Sequence, residues 1–347
     1  MTRVLILACI WLALGLVACG EKEEPSAAGG TAGSAPLRVM LDYFPNADHA
    51  GIYAAQAEGI YDAAGLDVDV MPPPDPSAPL KLLQAGKVDI AISYEPELLL
   101  AREAGAELVS VGALVQKPLT SLISVGKDAP RTPAALEGKR VGTAGLPYQS
   151  AYLKTILRAA GVDPGSVKET NVGFNLVPAM LSGKVDATLG AFWNYEGVDL
   201  ERRGRDPVIQ RMESLGVPTY SELVFVVRRR DLDQDFGALV RKFIQSTGKG
   251  HEALREDAKP GIDALLEADP GLDRGLQEAV VAATLPVFFP DDDERPWGYQ
   301  DAAEWQAYID WMVGEGLLTR PQTAEQVLSN EFLPGEGLDP RSALEQD

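Results

Sequence analysis

Cysteine is almost absent from this 347-residue chain. Its two cysteines, Cys9 and Cys19, fall within the first twenty positions, so the body can hold no disulfide framework. Histidine is equally scarce: His49 and His251 are the only two, which disfavours a metal site built from imidazoles. Basic side chains are outnumbered, 31 Lys and Arg against 51 Asp and Glu, and the formal net charge is −20. No positive surface is left over to offset phosphates, which argues against a nucleic-acid partner. No Gly-x-x-x-x-Gly-Lys-Ser/Thr run occurs either, so the chain carries no ATPase phosphate loop. What is present suits two ordinary cores: 46% hydrophobic and 24% charged residues, at a length that fits two domains.

The first residues read as an address. Arg3 supplies a charged start, and Val4 to Val17 is an apolar run of signal-peptide length, too short for a confident membrane span. Leu16-Val17-Ala18-Cys19-Gly20 resembles the bacterial lipoprotein cleavage pattern, in which residues 1–18 are removed and Cys19 becomes the lipidated N-terminus. An ordinary signal peptide with an incidental cysteine is the alternative. Residues 19–36 then read as a lipidated cysteine and a flexible tether, because 21–36 hold only polar, small and proline residues. Anchor, tether and body together predict a protein held at the outer face of the bacterial cytoplasmic membrane, or in the periplasm. Residues 335–347 read as a loose polar tail.

From Leu37 onward, short apolar runs alternate with helical periodicity. Strands are expected at Leu37–Leu41, Leu66–Val70, Ile90–Ser93 and Glu107–Leu114, with helices at Ala47–Glu58, Ala78–Ala85 and Glu97–Glu103 between them. The pattern returns after Pro133, with strands at Arg140–Gly142, Val167–Val172 and Ala187–Gly190. Gly86-Lys87-Val88-Asp89 recurs 97 positions later as Gly183-Lys184-Val185-Asp186, each time followed by an aromatic and acidic cluster. This predicts two similar α/β lobes, residues 37–127 plus 229–334 and residues 128–228, facing one another across a ligand cleft. The segment from about Arg228 reads as mostly helical.

Leu41-Asp42-Tyr43-Phe44-Pro45-Asn46-Ala47-Asp48-His49-Ala50-Gly51-Ile52-Tyr53 and Gly86-Lys87-Val88-Asp89 carry a resemblance, continued by Val141-Gly142-Thr143-Ala144-Gly145 and Asn171-Val172-Gly173-Phe174. With the lipoprotein start, they resemble the thiamine-pyrimidine-precursor family of ABC transporter substrate-binding proteins. The resemblance is clear over about residues 37–230 and holds in outline beyond. It implies a type II periplasmic-binding-protein fold, two lobes joined by two crossovers near residues 126–131 and 224–231. One branch of that family binds formylaminopyrimidine or hydroxymethylpyrimidine and another riboflavin; more distant relatives bind nitrate, sulfonates or taurine. Its eukaryotic synthases carry a cysteine-rich iron motif, for which this body has no cysteine.

Candidate ligand residues sit at the expected carboxyl ends of strands, where crevices form in α/β sheets. Asp42 and Asn46 offer hydrogen bonds and Tyr43 a ring face; equally, Asn46 or Asp48 is a helix N-cap. His49 is either a donor to the ligand or a cap of the same turn. Tyr94 and Glu95 follow the third strand: Glu95 suits an exocyclic amine, or simply the positive end of a helix. Phe192, Trp193, Asn194 and Glu196 suit a stacked planar ring with polar groups to orient it, or a packing patch between lobes. Tyr148 and Phe174 are further wall candidates in strand-to-helix loops.

The function expected is therefore capture of a flat heterocycle, first a thiamine pyrimidine precursor, with delivery to ABC permease and ATPase subunits. It needs no cofactor, no metal and no catalysis. Riboflavin is the alternative within the class, then an anion of the sulfonate or nitrate kind, for which the candidate segments offer no cation. An enzyme processing pyrimidines on the same fold is the alternative from another class; it would need a nucleophile–base pair or a metal, and no histidine-based dyad is evident.

Overall fold

The computed structural model describes residues 34–335 apart from Asp293. The expected signal peptide, Cys19, nearly all of the tether and the tail beyond Gly335 lie outside the described residues. In chain order the fold begins with β1 (Ala35–Met40), α1 (Ala50–Ala57), α2 (Ile60–Ala63), β2 (Leu66–Met71), α3 (Ala78–Gln84), β3 (Ile90–Ser93), α4 (Glu95–Glu103) and β4 (Leu108–Val115). There follow β5 (Thr120–Ser124), β6 (Arg140–Thr143), α5 (Pro147–Ala159), β7 (Lys168–Asn171), α6 (Leu176–Leu181), β8 (Ala187–Phe192), α7 (Val198–Arg202) and β9 (Val208–Arg211). Then come β10 (Leu223–Arg228), α8 (Gln234–Glu256), α9 (Lys259–Ala268), α10 (Arg274–Phe288), α11 (Ala302–Gly314) and α12 (Ala324–Val327).

These strands form two five-stranded sheets, ordered β2-β1-β3-β10-β4 and β7-β6-β8-β5-β9. In the first, β1 runs parallel to β2 and β3, while β10 is antiparallel to β3 and β4. In the second, β6 runs parallel to β7 and β8, while β5 is antiparallel to β8 and β9. Each sheet thus takes its antiparallel strand from a crossing chain: β5 follows β4, and β10 follows β9. The two α/β lobes read from the sequence are present.

The crossings are not where the sequence placed them. The chain passes between sheets at 116–119 and again at 212–222, so β5 already belongs to the second sheet and β10 already to the first. The expected crossings near 126–131 and 224–231, and the lobe limits drawn from them, are corrected accordingly. The physical reason is that β4, β5 and β10 are buried along their whole length. Burial along a strand does not say which sheet receives it, and β5, with Thr120, Ser121 and Ser124, carries no continuous apolar run to announce it.

The Gly-Lys-Val-Asp repeat is a fastening used twice. Gly86 and Gly183 take φ of 69° and 71°, the left-handed region that ends the preceding helix at no steric cost. Asp89 then accepts from the Arg38 backbone N–H at 2.9 Å and from its guanidinium at 2.9 and 2.8 Å. Asp186 does the same to Arg140, at 2.8 Å from the backbone and 3.1 and 2.8 Å from the guanidinium. Each aspartate pins the start of a central strand, β3 or β8, to its parallel neighbour, β1 or β6. Charge-assisted forked bonds of this kind fix geometry as well as add energy.

A buried carboxylate joins the two crossings. Glu222 accepts from the backbone N–H groups of Leu119 and Thr120 at 2.7 and 2.8 Å, from the Thr120 hydroxyl at 2.9 Å and from the Tyr220 hydroxyl at 2.9 Å. Burial pushes its carboxyl up to about 7, against those donors, which favour the charged form. Glu222→Ala strands two buried backbone donors, each costing about 1–3 kcal/mol, and is expected to lower unfolding free energy by about 3 kcal/mol in denaturant titrations. Glu222→Gln keeps an acceptor there and is expected to cost much less. The raised carboxyl adds stability that is complete below its unfolded value near 4.5 and is lost as pH rises through about 7. Unfolding curves at pH 5 and 8 should therefore differ less in Glu222→Gln than in the native chain; an unchanged difference would refute the assignment.

Candidate functional site

The loops at the carboxyl ends of β1, β2, β3, β6, β7 and β8 converge on one cavity between the lobes. Its empty volume is about 530 Å³, mouth included. The first lobe contributes Asp42, Tyr43, Asn46 and Asp48 after β1, Pro76 after β2 and Tyr94 after β3. The second contributes Ala144, Leu146, Tyr148 and Gln149 after β6, Gly173, Phe174 and Leu176 after β7, and Gly190, Phe192, Tyr195 and Glu196 around the end of β8.

The first-lobe wall is held by local bonds. Asn46 caps the turn Ala47–His49: its Oδ1 accepts from the Asp48 N–H at 2.8 Å and its Nδ2 donates to the Phe44 carbonyl at 2.9 Å. The Asn46 N–H donates to His49 Nδ1 at 3.3 Å, which leaves the other ring nitrogen to donate to Asp42 Oδ1 at 2.9 Å. The Tyr94 hydroxyl donates to Asp42 Oδ2 at 2.8 Å. Both oxygens of Asp42 are therefore engaged. Asp48 Oδ1 is engaged as well, by Asn194 Nδ2 at 2.6 Å and the Thr284 hydroxyl at 3.3 Å, but Oδ2 is not. Burial pushes the Asp48 carboxyl up to about 6, although neighbouring His49 and the Asn194 and Thr284 bonds lower it.

The second-lobe wall turns on one π-helical turn, Trp193–Gly197, a geometry that recurs at functional sites. It aims Phe192, Tyr195 and Glu196 into the cavity. Glu196 Oε2 accepts from the Phe192 N–H at 2.7 Å. Burial pushes this carboxyl up to about 7; nearby Asp48 and Asp199 add to the rise, while backbone donors oppose it. Tyr195 takes a weak bond at 3.4 Å from Gln277. Gln149, in the first turn of α5, accepts from the Ala144 N–H through Oε1 at 2.9 Å.

At the mouth the lobes touch through rings. The Tyr43 hydroxyl donates to the Phe174 carbonyl at 3.1 Å, and their rings meet edge-on at 4.5 Å. Phe44 lies 4.8 Å from Phe174 and is 46% exposed, an outer cover to the same contact.

Of the residues expected from sequence, Asp42, Tyr43, Asn46, Tyr94, Tyr148, Phe174, Phe192 and Glu196 line the cavity. His49, Glu95, Trp193 and Asn194 do not. His49 is the cap and brace just described. Glu95 turns to the second crossing, where its Oε2 accepts from the Ser221 N–H at 2.7 Å. Trp193 faces the first crossing: its Nε1–H donates to the Pro118 carbonyl at 3.0 Å and the Arg211 guanidinium lies 3.9 Å over its ring. Asn194 joins Asp48 to Thr284, at 2.6 and 2.7 Å. Trp193 and Asn194 open the π turn, and these bonds hold them outside the cavity lining. Sequence reasoning missed Gln149, Tyr195 and Asp48 as cavity residues. Tyr195 stood inside a segment already singled out; Gln149 carried no signal beyond its place in a first helical turn.

Chemically, the cavity offers flat aromatic walls, free oxygens on Asp48 and Glu196, and N–H or O–H donors on Gln149, Tyr148 and Tyr195. Among the described residues that line it there is no Lys, Arg or His. Such a lining accepts hydrogen bonds from a neutral or cationic heterocycle and opposes an anion. Among the described residues no cluster of His, Cys, Asp and Glu is arranged to hold a metal.

A family model described as NMT1/THI5 like matches residues 46–259. The formylaminopyrimidine-binding protein of Halalkalibacterium halodurans is 32% identical over 296 residues, covering 85% of this chain and 89% of its own. A 4-amino-5-hydroxymethyl-2-methylpyrimidine phosphate synthase of Legionella pneumophila is 27% identical over 255 residues, 73% of this chain and 79% of its own. Among solved structures, the alkanesulfonate-binding protein SsuA of Xanthomonas axonopodis pv. citri bound to MOPS superposes with a TM-score of 0.67 at 20% identity, covering 86% of this chain and 99% of that one. At that identity the likeness is one of fold, the two-lobed fold of periplasmic binding proteins. With more than half of its length matched by the family model and a relative this similar along most of the chain, the protein belongs to the NMT1/THI5-like family.

Proposed function

We propose that the protein is the extracytoplasmic solute-binding component of an ABC importer and captures an aminopyrimidine precursor of thiamine, formylaminopyrimidine or hydroxymethylpyrimidine. One observation carries the reading: the cavity between the lobes has aromatic walls and free carboxylate oxygens, and no cationic side chain among its described lining. The 32% identical formylaminopyrimidine-binding relative supports the choice of ring. An exocyclic amine donates to Glu196 and Asp48, and the aromatic side chains supply contact area. The crossings at 116–119 and 212–222 act as the hinge, and Tyr43 with Phe174 closes the mouth. Cys19 carries the lipid that holds the receptor at the membrane face, beside its permease and ATPase.

Two features favour capture over turnover. Both ring nitrogens of His49 are occupied, so it is no free base. A synthase product bearing phosphate would meet carboxylates in this cavity and no cationic side chain among its described lining. The sulfonate and nitrate readings are disfavoured on the same ground.

Calorimetric titration of the purified protein with formylaminopyrimidine, hydroxymethylpyrimidine, riboflavin and an alkanesulfonate tests the proposal. Stoichiometric binding of a pyrimidine, recovered unchanged, supports it; binding of riboflavin or the sulfonate alone, or conversion of the pyrimidine, overturns it. Glu196→Gln is expected to weaken pyrimidine binding about 10- to 100-fold, the usual weight of one charge-assisted hydrogen bond.

Affinity should also follow pH. Burial holds the Glu196 carboxyl at about 7 before binding, and the Asp48 carboxyl at about 6. The ligand's N–H needs the ionised form, so affinity is expected to be flat above about pH 8. It should fall by up to about tenfold per pH unit below 7, with proton release on binding. Titrations at pH 6 in two buffers of different ionisation enthalpy read that release directly; Glu196→Gln should lose most of it.

A further inference from the structure

We infer that Gln149 fixes the orientation of the bound ring by donating an Nε2–H to one of its ring nitrogens. This rests on the aminopyrimidine reading of the cavity and assigns the partner of the ring's acceptor side. The Gln149 amide is held the right way round for the task. Its Oε1 is occupied by the Ala144 N–H at 2.9 Å, so the Nε2 end is the one left over. The side chain is only 2% exposed, and among the described residues Nε2 has no hydrogen-bond partner. Gln149 lines the cavity, so a ligand seated there is the group that can take this N–H.

Gly190 makes room for this arrangement. It lines the same cavity at φ 115°, and a Cβ there would fall 2.5 Å from Gln149 Nε2. Any side chain at 190 would push the amide out of place. The cavity's remaining side-chain donors are less directed. The Tyr94 hydroxyl is spent on Asp42, that of Tyr43 on Phe174 and the Asn46 amide on the Phe44 carbonyl, while the Tyr148 and Tyr195 hydroxyls turn about their C–O bonds. Gln149 is therefore the fixed donor facing a cavity otherwise rich in acceptors. With Glu196 and Asp48 accepting from an exocyclic amine, a donor held in place reads the adjacent ring nitrogen and selects one orientation of the ring.

The test is a mutant–ligand cycle measured by calorimetry on the full chain. The ligands are hydroxymethylpyrimidine and its two analogues in which one or the other ring nitrogen is replaced by C–H. The native protein is expected to bind one analogue about 10- to 100-fold more weakly than the parent. Gln149→Met should bind the parent more weakly by a similar factor and no longer distinguish it from that analogue. Gln149→Glu keeps an oxygen for the Ala144 N–H, preserves the loop, and should lose at least as much. Unliganded melting curves check folding, and the glutamate variant decides if the methionine variant does not fold. Retained discrimination in either folded variant, or parent affinity equal to the native protein's, overturns the assignment while leaving the proposed function intact. Absence of binding of the pyrimidine to the native protein overturns both.

Discussion

Two carboxylates, the buried Asp48 and the half-buried Glu196, line a cavity with no cation opposite them among its described lining, and much of the structure can be understood from that constraint. An unpaired buried charge is expensive, so such groups drift toward neutrality; burial raises both carboxyls here. What makes the arrangement tenable is that each has one oxygen satisfied from the protein side, Asp48 by Asn194 and Glu196 by the Phe192 N–H. The free oxygens face the cavity. A ligand bearing N–H groups supplies what the protein withholds, and capture is then an exchange of partly protonated acids for paired carboxylates.

The fold delivers these groups from opposite sides. Each lobe repeats one plan, with an aspartate locking the central parallel strand to its neighbour and functional loops leaving the carboxyl ends of the strands. The exchanged strands β5 and β10 join the lobes twice, and Glu222 ties the two crossings together. Glu95 and Trp193 bond to the same crossings from the first and second lobe. Residues next to the cavity thus brace the crossings, while the residues one or two positions away line the cavity. A change at the ligand and a change at the hinge are separated by little more than one side chain.

Much of this was legible in the sequence. The alternation of strands and helices, the repeat and the strand-end clusters were enough to place Asp42, Tyr94, Phe192 and Glu196 at a crevice, because ligands in α/β sheets gather where strands end. Three things were not legible. Strands buried along their whole length do not name their sheet, so the crossings were misplaced. A π turn cannot be seen in Trp193-Asn194-Tyr195-Glu196, so the cluster did not tell which of its members line the cavity. Gln149 acts through an amide orientation set by a backbone N–H five residues earlier, a relation that exists only once β6 and α5 are folded. Asn46 shows the converse: it caps the turn Ala47–His49 and lines the cavity at once, so both readings of it hold.

The most direct measurement is the ionisation of Glu196 followed by carboxyl ¹³C NMR, with and without hydroxymethylpyrimidine. The free protein is expected to show this carboxyl titrating near pH 7, far above an exposed glutamate, and the complex to hold it ionised well below that. A carboxyl that titrates like an exposed glutamate in the free protein, or one whose titration the pyrimidine leaves unmoved, would contradict a cavity whose carboxyls await an N–H donor.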